Sequence, residues 1–288
     1  MGIVLVILAA FFWGVSGGIA AVLIDQGWDP LVVSFYRGLI GLVCFAVWWL
    51  THWRRIAFPD RRTLLWATLA GLGVAGNFTF YFLAISFGSV AVAVTLMYTA
   101  PVYVCLVMLI TGSQRLSAGL VAVIGAVLLG IAMLTELVGA DGLSNVSLAG
   151  VAAGVAAGMA YAVFLFGFRS AAGRTSPAAA LGVAFLVFVL ALGPFVDHYQ
   201  LVAAPLSADA PLFLLLGLLG AGLSFFLYVL GLRTATPVSV SLVGAVEPVT
   251  AALFGLFVLD QTLGTTQWLG MVVILAAVTV MSVRRHAK

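Results

Sequence analysis

The stretches AVAVTLMYTAPVYVCLVMLI (91–110) and VSVSLVGAVEPVTAALFGLF (238–257) decide the fold. Each is apolar over about the 20 residues a helix needs to cross a bilayer core, and each carries a proline in its middle, Pro101 and Pro248. The prolines lie 147 positions apart, and the same offset carries Pro30 onto Pro177, Tyr81 onto Tyr228, Leu106 onto Leu253, Gln114 onto Gln261 and Leu116 onto Leu263. An offset that holds from residue 30 to residue 116 without a gap marks two tandem copies of one unit.

Composition supports a membrane reading. Hydrophobic residues make up 64% of the 288-residue chain and charged residues 7%, with a mean hydropathy of +1.27. Soluble domains carry roughly 25% charged residues, so a soluble globule is excluded. The net charge of +3 comes from arginines between apolar runs and implies no nucleic-acid partner. Cys44 and Cys105 both fall inside apolar runs and read as packing residues, not as a disulfide or a metal site. The first apolar run has no Lys or Arg before it and is too long for a signal peptide, so it reads as a retained span.

Ten apolar runs follow one another: 2–24, 31–51, 64–84, 89–112, 117–135, 147–168, 177–196, 211–231, 237–259 and 265–283. The charges test this count. With the N-terminus in the cytoplasm, Arg54, Arg55, Arg61, Arg62, Arg115, Arg169, Arg174, Arg233, Arg284, Arg285 and Lys288 are all cytoplasmic. The opposite loops hold Asp25, Asp29, Glu136, Asp141, Asp197, Asp209 and Asp260 and no Lys or Arg. Positive residues inside is the orientation rule for membrane proteins. The expected fold is an all-α membrane protein of ten transmembrane helices, both termini cytoplasmic. Five spans per copy give two inverted repeats, 1–140 and 141–288, a layout of secondary transporters.

Two motif matches are refused on physical grounds. GLGVAG (71–76) has the spacing of a dinucleotide loop, but it lies inside a span, where glycines serve close helix approach. GVSGG (14–18) resembles a serine-nucleophile turn, but His52, His198 and His286 all lie outside the spans and no base is available. No enzyme activity is expected. Gly150, Gly154 and Gly158 form a small-residue seam for helix packing.

Only Arg37 and Glu247 place a full charge inside a span. A charge there costs about 2.5–3.5 kcal/mol on insertion scales, so each needs a partner or a wet cavity. Arg37 has two readings, packing through backbone carbonyls or contact with a substrate carboxylate. Glu247 has three: a protonated structural group, a proton-coupling group, or a partner for a substrate ammonium. The mid-span prolines are expected to free the carbonyls of Met97 and Gly244 and to act as hinges, or else to be plain kinks in a bundle. Asn77 and Tyr81 share a helix face, as do Ser224 and Tyr228. With Phe78, Trp13, Tyr98, Tyr161 and Glu247 they form the expected substrate-binding set. Trp48, Trp49, Trp53, Trp66 and Trp268 fit headgroup-level positions instead.

These residues bring a family into view. FFWG (11–14), PLVVSFYRG (30–38), YFLAISFGSVAVAVTLMYTAPVYVCL (81–106) and EPVTAALFGLFVLDQTLGTTQWLGMVVILAAV (247–278) resemble the EamA branch of the drug/metabolite transporter superfamily. Within it, the pattern is most similar to bacterial aromatic amino-acid exporters. The resemblance implies ten helices in two inverted halves around a cavity lined by helices 1, 3, 4, 6, 8 and 9. It implies export of amino acids or similar small metabolites, with a small molecule and the lipid bilayer as partners and no cofactor. Gln114 and Gln261 stand where repeats of that family commonly carry Glu, so helix-end contacts assumed for the family are open here. The expectation is an inner-membrane exporter of neutral or aromatic amino acids working by alternating access. The alternative is efflux of cationic aromatic drugs. Oligomeric state is left open, a monomer being compatible.

Overall fold

Turn-forming residues punctuate the apolar runs, and the helices start at them. The computed structural model describes residues 2–52, 59–87, 90–113, 115–137 and 147–284. Trp53, Arg54, Arg55, Gln114, Asp141, Arg285, His286 and Lys288, which entered the reading above, lie outside the described residues. Asp29 accepts hydrogen bonds from the amides of Leu31 (2.8 Å) and Val32 (3.2 Å), with Pro30 in the first turn. One repeat offset later, Ser176 accepts from the Ala179 amide at 3.2 Å ahead of Pro177. Ser117 and Thr236 start their helices in the same way. Each such cap satisfies an otherwise orphaned N–H and contributes about 1 kcal/mol. Asp60 accepts from the Thr63 amide at 2.9 Å, and hydrogen bonds from Thr63 hold its carboxyl below the usual carboxylate range.

The elements are α1 Gly2–Asp25, α2 Pro30–Thr51, α3 Arg61–Ser86, α4 Val90–Met97, α5 Ala100–Ile110, α6 Ala118–Leu134, α7 Leu148–Ala172 and α8 Pro177–Leu192. They continue with α9 His198–Ala203, α10 Ala210–Gly217, a π-helix Leu218–Leu223, α11 Ser224–Thr234, α12 Pro237–Val243, α13 Val246–Val258 and α14 Thr265–Arg284. Among the described residues every regular element is helical. Among the described residues, nine helical stretches are long and apolar enough to cross a membrane, and Ala118–Leu134 is a shorter apolar helix. Outward-facing Leu50, Ile110 and Phe257 are 70%, 85% and 75% exposed. Large apolar side chains left that open suit lipid, not water. The chain is a multi-pass membrane protein.

Three of the runs depart from α-helix in their interior. The run 89–112 breaks at Tyr98 and Thr99, and the run 237–259 breaks at Gly244 and Ala245. Each break lies just upstream of a mid-span proline, which lacks an N–H and clashes with the carbonyl four residues back. The run 211–231 contains the π-helix, a wider turn that displaces its carbonyls from the usual ladder.

The chain forms two compact units that interleave in sequence. Unit 1 comprises Met1–Ala75 and Val163–Thr234; unit 2 comprises Gly76–Ala162 and Ala235–Lys288. Helices α3 and α7 contribute residues to both. In unit 1, α1 packs on α11 and α2 on α8; in unit 2, α6 packs on α14 and α5 on α12. The α6–α14 contact is a backbone approach. A Cβ on Gly130 would come 2.9 Å from the Gly270 carbonyl oxygen, and one on Gly270 would come 2.6 Å from that of Gly130. Small residues permit this in membranes, where helix association relies on close packing.

Candidate functional site

In unit 2 the helix breaks collect polar groups at membrane depth. Tyr98 lies in the α4–α5 break and is 3% exposed. Glu247 lies in the first turn of α13, just past the α12–α13 break and beside Pro248. That position places the carboxyl where helix N–H dipoles favour negative charge. Glu247 acts electrostatically on both Tyr98 and Tyr81, and the buried Tyr98 hydroxyl makes no hydrogen bond among the described residues. Tyr161 also lies within electrostatic reach of Tyr98. One carboxyl and three phenols thus converge from α3, the α4–α5 break, α7 and α13.

Gly244 makes this arrangement possible. A Cβ on it would come 2.7 Å from Tyr161 Oη, so the phenol occupies space that only glycine leaves in the break. One of the two break carbonyls differs from the sequence expectation. The Gly244 carbonyl is not freed: it accepts from the Glu247 amide at 3.0 Å, the break tightening into a shorter-range turn. The Met97 carbonyl faces the α7 glycine seam, 3.1 Å from where a Cβ on Gly158 would lie. Gly154 admits Leu96 in the same seam. Asn77 donates its Nδ2 to the Ala157 carbonyl at 2.9 Å, tying α3 to α7. Phe78 is half-buried beside it.

Trp13, Ser224 and Tyr228 belong to unit 1, and their surroundings are aromatic. Trp13 packs with ring centroids 4.9 Å from Tyr228 and 5.1 Å from Phe225. Phe164 lies 6.0 Å from Tyr228, and Phe185 meets Phe225 edge-on at 5.0 Å. Tyr228 has no exposed surface. Trp13 Nε1 and Ser224 Oγ are buried and make no hydrogen bond among the described residues. Arg37 donates Nε to the Gly220 carbonyl at 2.9 Å, inside the π-helix. Its packing reading is therefore realised. Ser16, the serine of GVSGG, donates to the Trp13 carbonyl at 2.9 Å.

Sequence reading missed Phe225, Phe164 and Phe185. Phe225 was within reach, since the 147-residue offset carries Phe78 onto it. Nothing along the chain signalled the π-helix or its bond to Arg37. Gln261, one of the departures from the family pattern, folds back so that its amide donates to the Gly255 carbonyl at 3.0 Å.

Compared with known proteins, the chain matches the EamA-like transporter family over residues 1–136 and 148–283. The threonine/homoserine exporter RhtA of Escherichia coli is 29% identical over 296 residues, covering 99% of this chain and 93% of that one. An uncharacterized transporter of Bacillus subtilis, YwfM, is 25% identical over 286 residues, covering 96% and 92%. A solved crystal structure superposes with a TM-score of 0.79 at 17% identity, covering 100% of this chain and 99% of that one, a likeness of fold.

Proposed function

The chain belongs to the EamA-like transporter family, and from that premise we propose that it exports neutral amino acids with aromatic or bulky apolar side chains. It does so across a bacterial inner membrane, by alternating access. The working unit has ten spans in two inverted halves, 1–140 and 141–288, with both ends in the cytoplasm. The arginine distribution along the chain supports this orientation, and the two matched stretches, 1–136 and 148–283, support the halves. RhtA, an exporter of threonine and homoserine, supports amino acids as the substrate class.

The observation that carries the reading is the grouping of Tyr81 and Tyr98 about Glu247, with Tyr161 beside Tyr98. An amino acid presents an ammonium group. A carboxylate attracts it by charge, and phenol rings and oxygens supply cation–π and hydrogen-bonding contacts. The helix breaks beside Pro101 and Pro248 serve as hinges on the same elements, so movement of α5 or α13 changes the ammonium site directly. The aromatic side chain of a substrate matches rings better than a hydroxylated one does.

Solvent counterflow in proteoliposomes tests this. Vesicles loaded with unlabelled amino acid should accumulate labelled tryptophan and phenylalanine, and threonine more weakly. Exchange of a quaternary ammonium dye without any amino acid would replace the reading with efflux of cationic aromatic compounds. No exchange of either by folded protein would sink both.

A further inference from the structure

At one end of unit 1, where α7 and α11 terminate, Arg169, Arg174 and Arg233 line a single open pocket of about 500 Å³ together with Ala172, Gly173 and Thr175. Two of the arginines are held in place by the opposite helix end. Arg233 of α11 donates Nε to the Ala172 carbonyl at 3.0 Å and Nη2 to the Thr175 carbonyl at 2.8 Å. Arg169 of α7 donates Nη1 to the Leu232 carbonyl. These bonds fix the guanidinium planes without neutralising them, since carbonyls carry no net charge. A guanidinium has five N–H donors, so Arg233, with two of them committed here, keeps donors for a further acceptor. Arg174 is exposed at the rim.

The acid near this cluster is Asp60, which lies within electrostatic reach of Arg174 and of Arg62. Among the described residues, Asp60 stands against Arg62, Arg174 and Arg233, which leaves the region positive. Crowded like charges repel, and an anion bound among them removes that repulsion. The shape of the acceptor follows from the donors. Planar forks fixed by backbone bonds match the paired oxygens of a phosphate, and arginine is the residue that binds phosphate in this bidentate way. The depth follows from the helices. α7 and α11 are apolar up to their last turns, and their arginines sit where a membrane helix reaches the headgroup layer.

We propose that this pocket binds the phosphate of an anionic phospholipid headgroup. The proposed orientation puts it at the cytoplasmic face, where basic pockets between helices take such headgroups. The site shares no residue with the Glu247 cluster and does not depend on which solute is carried.

The test uses the full-length protein in a neutral detergent and fluorescent phosphatidylglycerol, followed by anisotropy. Phosphatidylglycerol should bind at least about tenfold more tightly than phosphatidylcholine, whose net charge is zero. Arg174→Gln should weaken it about tenfold, the loss expected for one charge-assisted partner. Arg174 holds no helix end, so this variant keeps its fold even if Arg233→Gln does not. Arg115→Gln, which removes an arginine of unit 2, should leave binding unchanged. Competition by inorganic phosphate at millimolar concentration would support the same chemistry with free phosphate as its source; no competition would support the lipid. Equal affinity for the two lipids, unchanged binding in Arg174→Gln, or an equal loss in Arg115→Gln would overturn the proposal.

Discussion

Unit 1 and unit 2 bury polar atoms in opposite ways. In unit 1, Trp13 and Tyr228 sit among Phe164, Phe185 and Phe225, ring against ring. The half-buried charge nearby, Arg37, is turned onto a backbone carbonyl of the π-helix. In unit 2, Tyr81 and Tyr98 lie within electrostatic reach of the Glu247 carboxyl, and Tyr161 within that of Tyr98. Tyr228 and Tyr81 occupy equivalent positions in the repeat, yet one is fully buried between rings and the other is half-buried in reach of Glu247. The repeat shows where its two copies differ: Glu247 is matched by Ala100, and Trp13 by Ala160. Trp13 of unit 1 has its counterpart in unit 2, whereas Glu247 and Ala100 both belong to unit 2, so of these two differences only the one at Trp13 separates the units.

Under the proposed function that contrast puts structural work in unit 1 and the ammonium site in unit 2, and substitutions can break it. The largest effect on stability belongs to Trp13→Ala. Removing a buried ring that packs on two others costs about 3–5 kcal/mol, read as a lower melting temperature in detergent. If stability is unchanged, the rings are not a packed core. Next is Gly220→Ala. The added Cβ would lie 2.5 Å from Ser16 Oγ and 2.9 Å from Arg37 Nε, an overpacking of about 1–3 kcal/mol. Glu247→Gln should do the reverse. Counterflow should fall by about tenfold or more, equivalent to about 1.4 kcal/mol or more of binding, with little change in melting temperature. Full transport in this variant would remove unit 2 as the ammonium site.

Gly244→Ala sharpens the comparison further. It should displace the Tyr161 hydroxyl from the α12–α13 break and lower apparent substrate affinity several-fold, about 1 kcal/mol. A Gly244→Ala protein with unaltered affinity would show that the Tyr161 contact is only packing. The smallest effect is expected at Asp60→Ala, on the exposed rim of unit 1. The folded carboxyl is held below its usual range by Thr63, so its contribution is present above the unfolded-state pKa. It is lost as pH falls through the lower folded value. Wild type and variant should therefore differ slightly in melting temperature near neutral pH and converge in acid.

Much of the helical layout was legible along the chain. The apolar runs coincide with helices to within a few residues, because a span must satisfy its own backbone and be apolar throughout. The caps at Asp29, Ser117, Ser176 and Thr236 were equally local, each bonding an amide two or three residues on. Run 8 concealed the π-helix, since a wider turn changes no residue type. The prolines announced the breaks in runs 4 and 9 but not the fate of the carbonyls. Gly244 kept a partner by tightening to the Glu247 amide, and Met97 was met by a glycine face. The site residues were legible as a list and not as a grouping. Asn77 is held by Ala157, and the set divides between units.

The sequence by itself determined where helices form, where they are weakened and which residues lack a counterpart in the repeat. Those properties depend on neighbours along the chain: apolar length, caps, proline chemistry and one offset. Only the tertiary structure decided which polar groups meet. Arg37 reaches a carbonyl 183 residues away, and Tyr161 reaches a break in another helix because Gly244 leaves room for its hydroxyl. Such encounters are set by how closely helix backbones approach and by which side chain fills the gap. No pattern along a single helix encodes that.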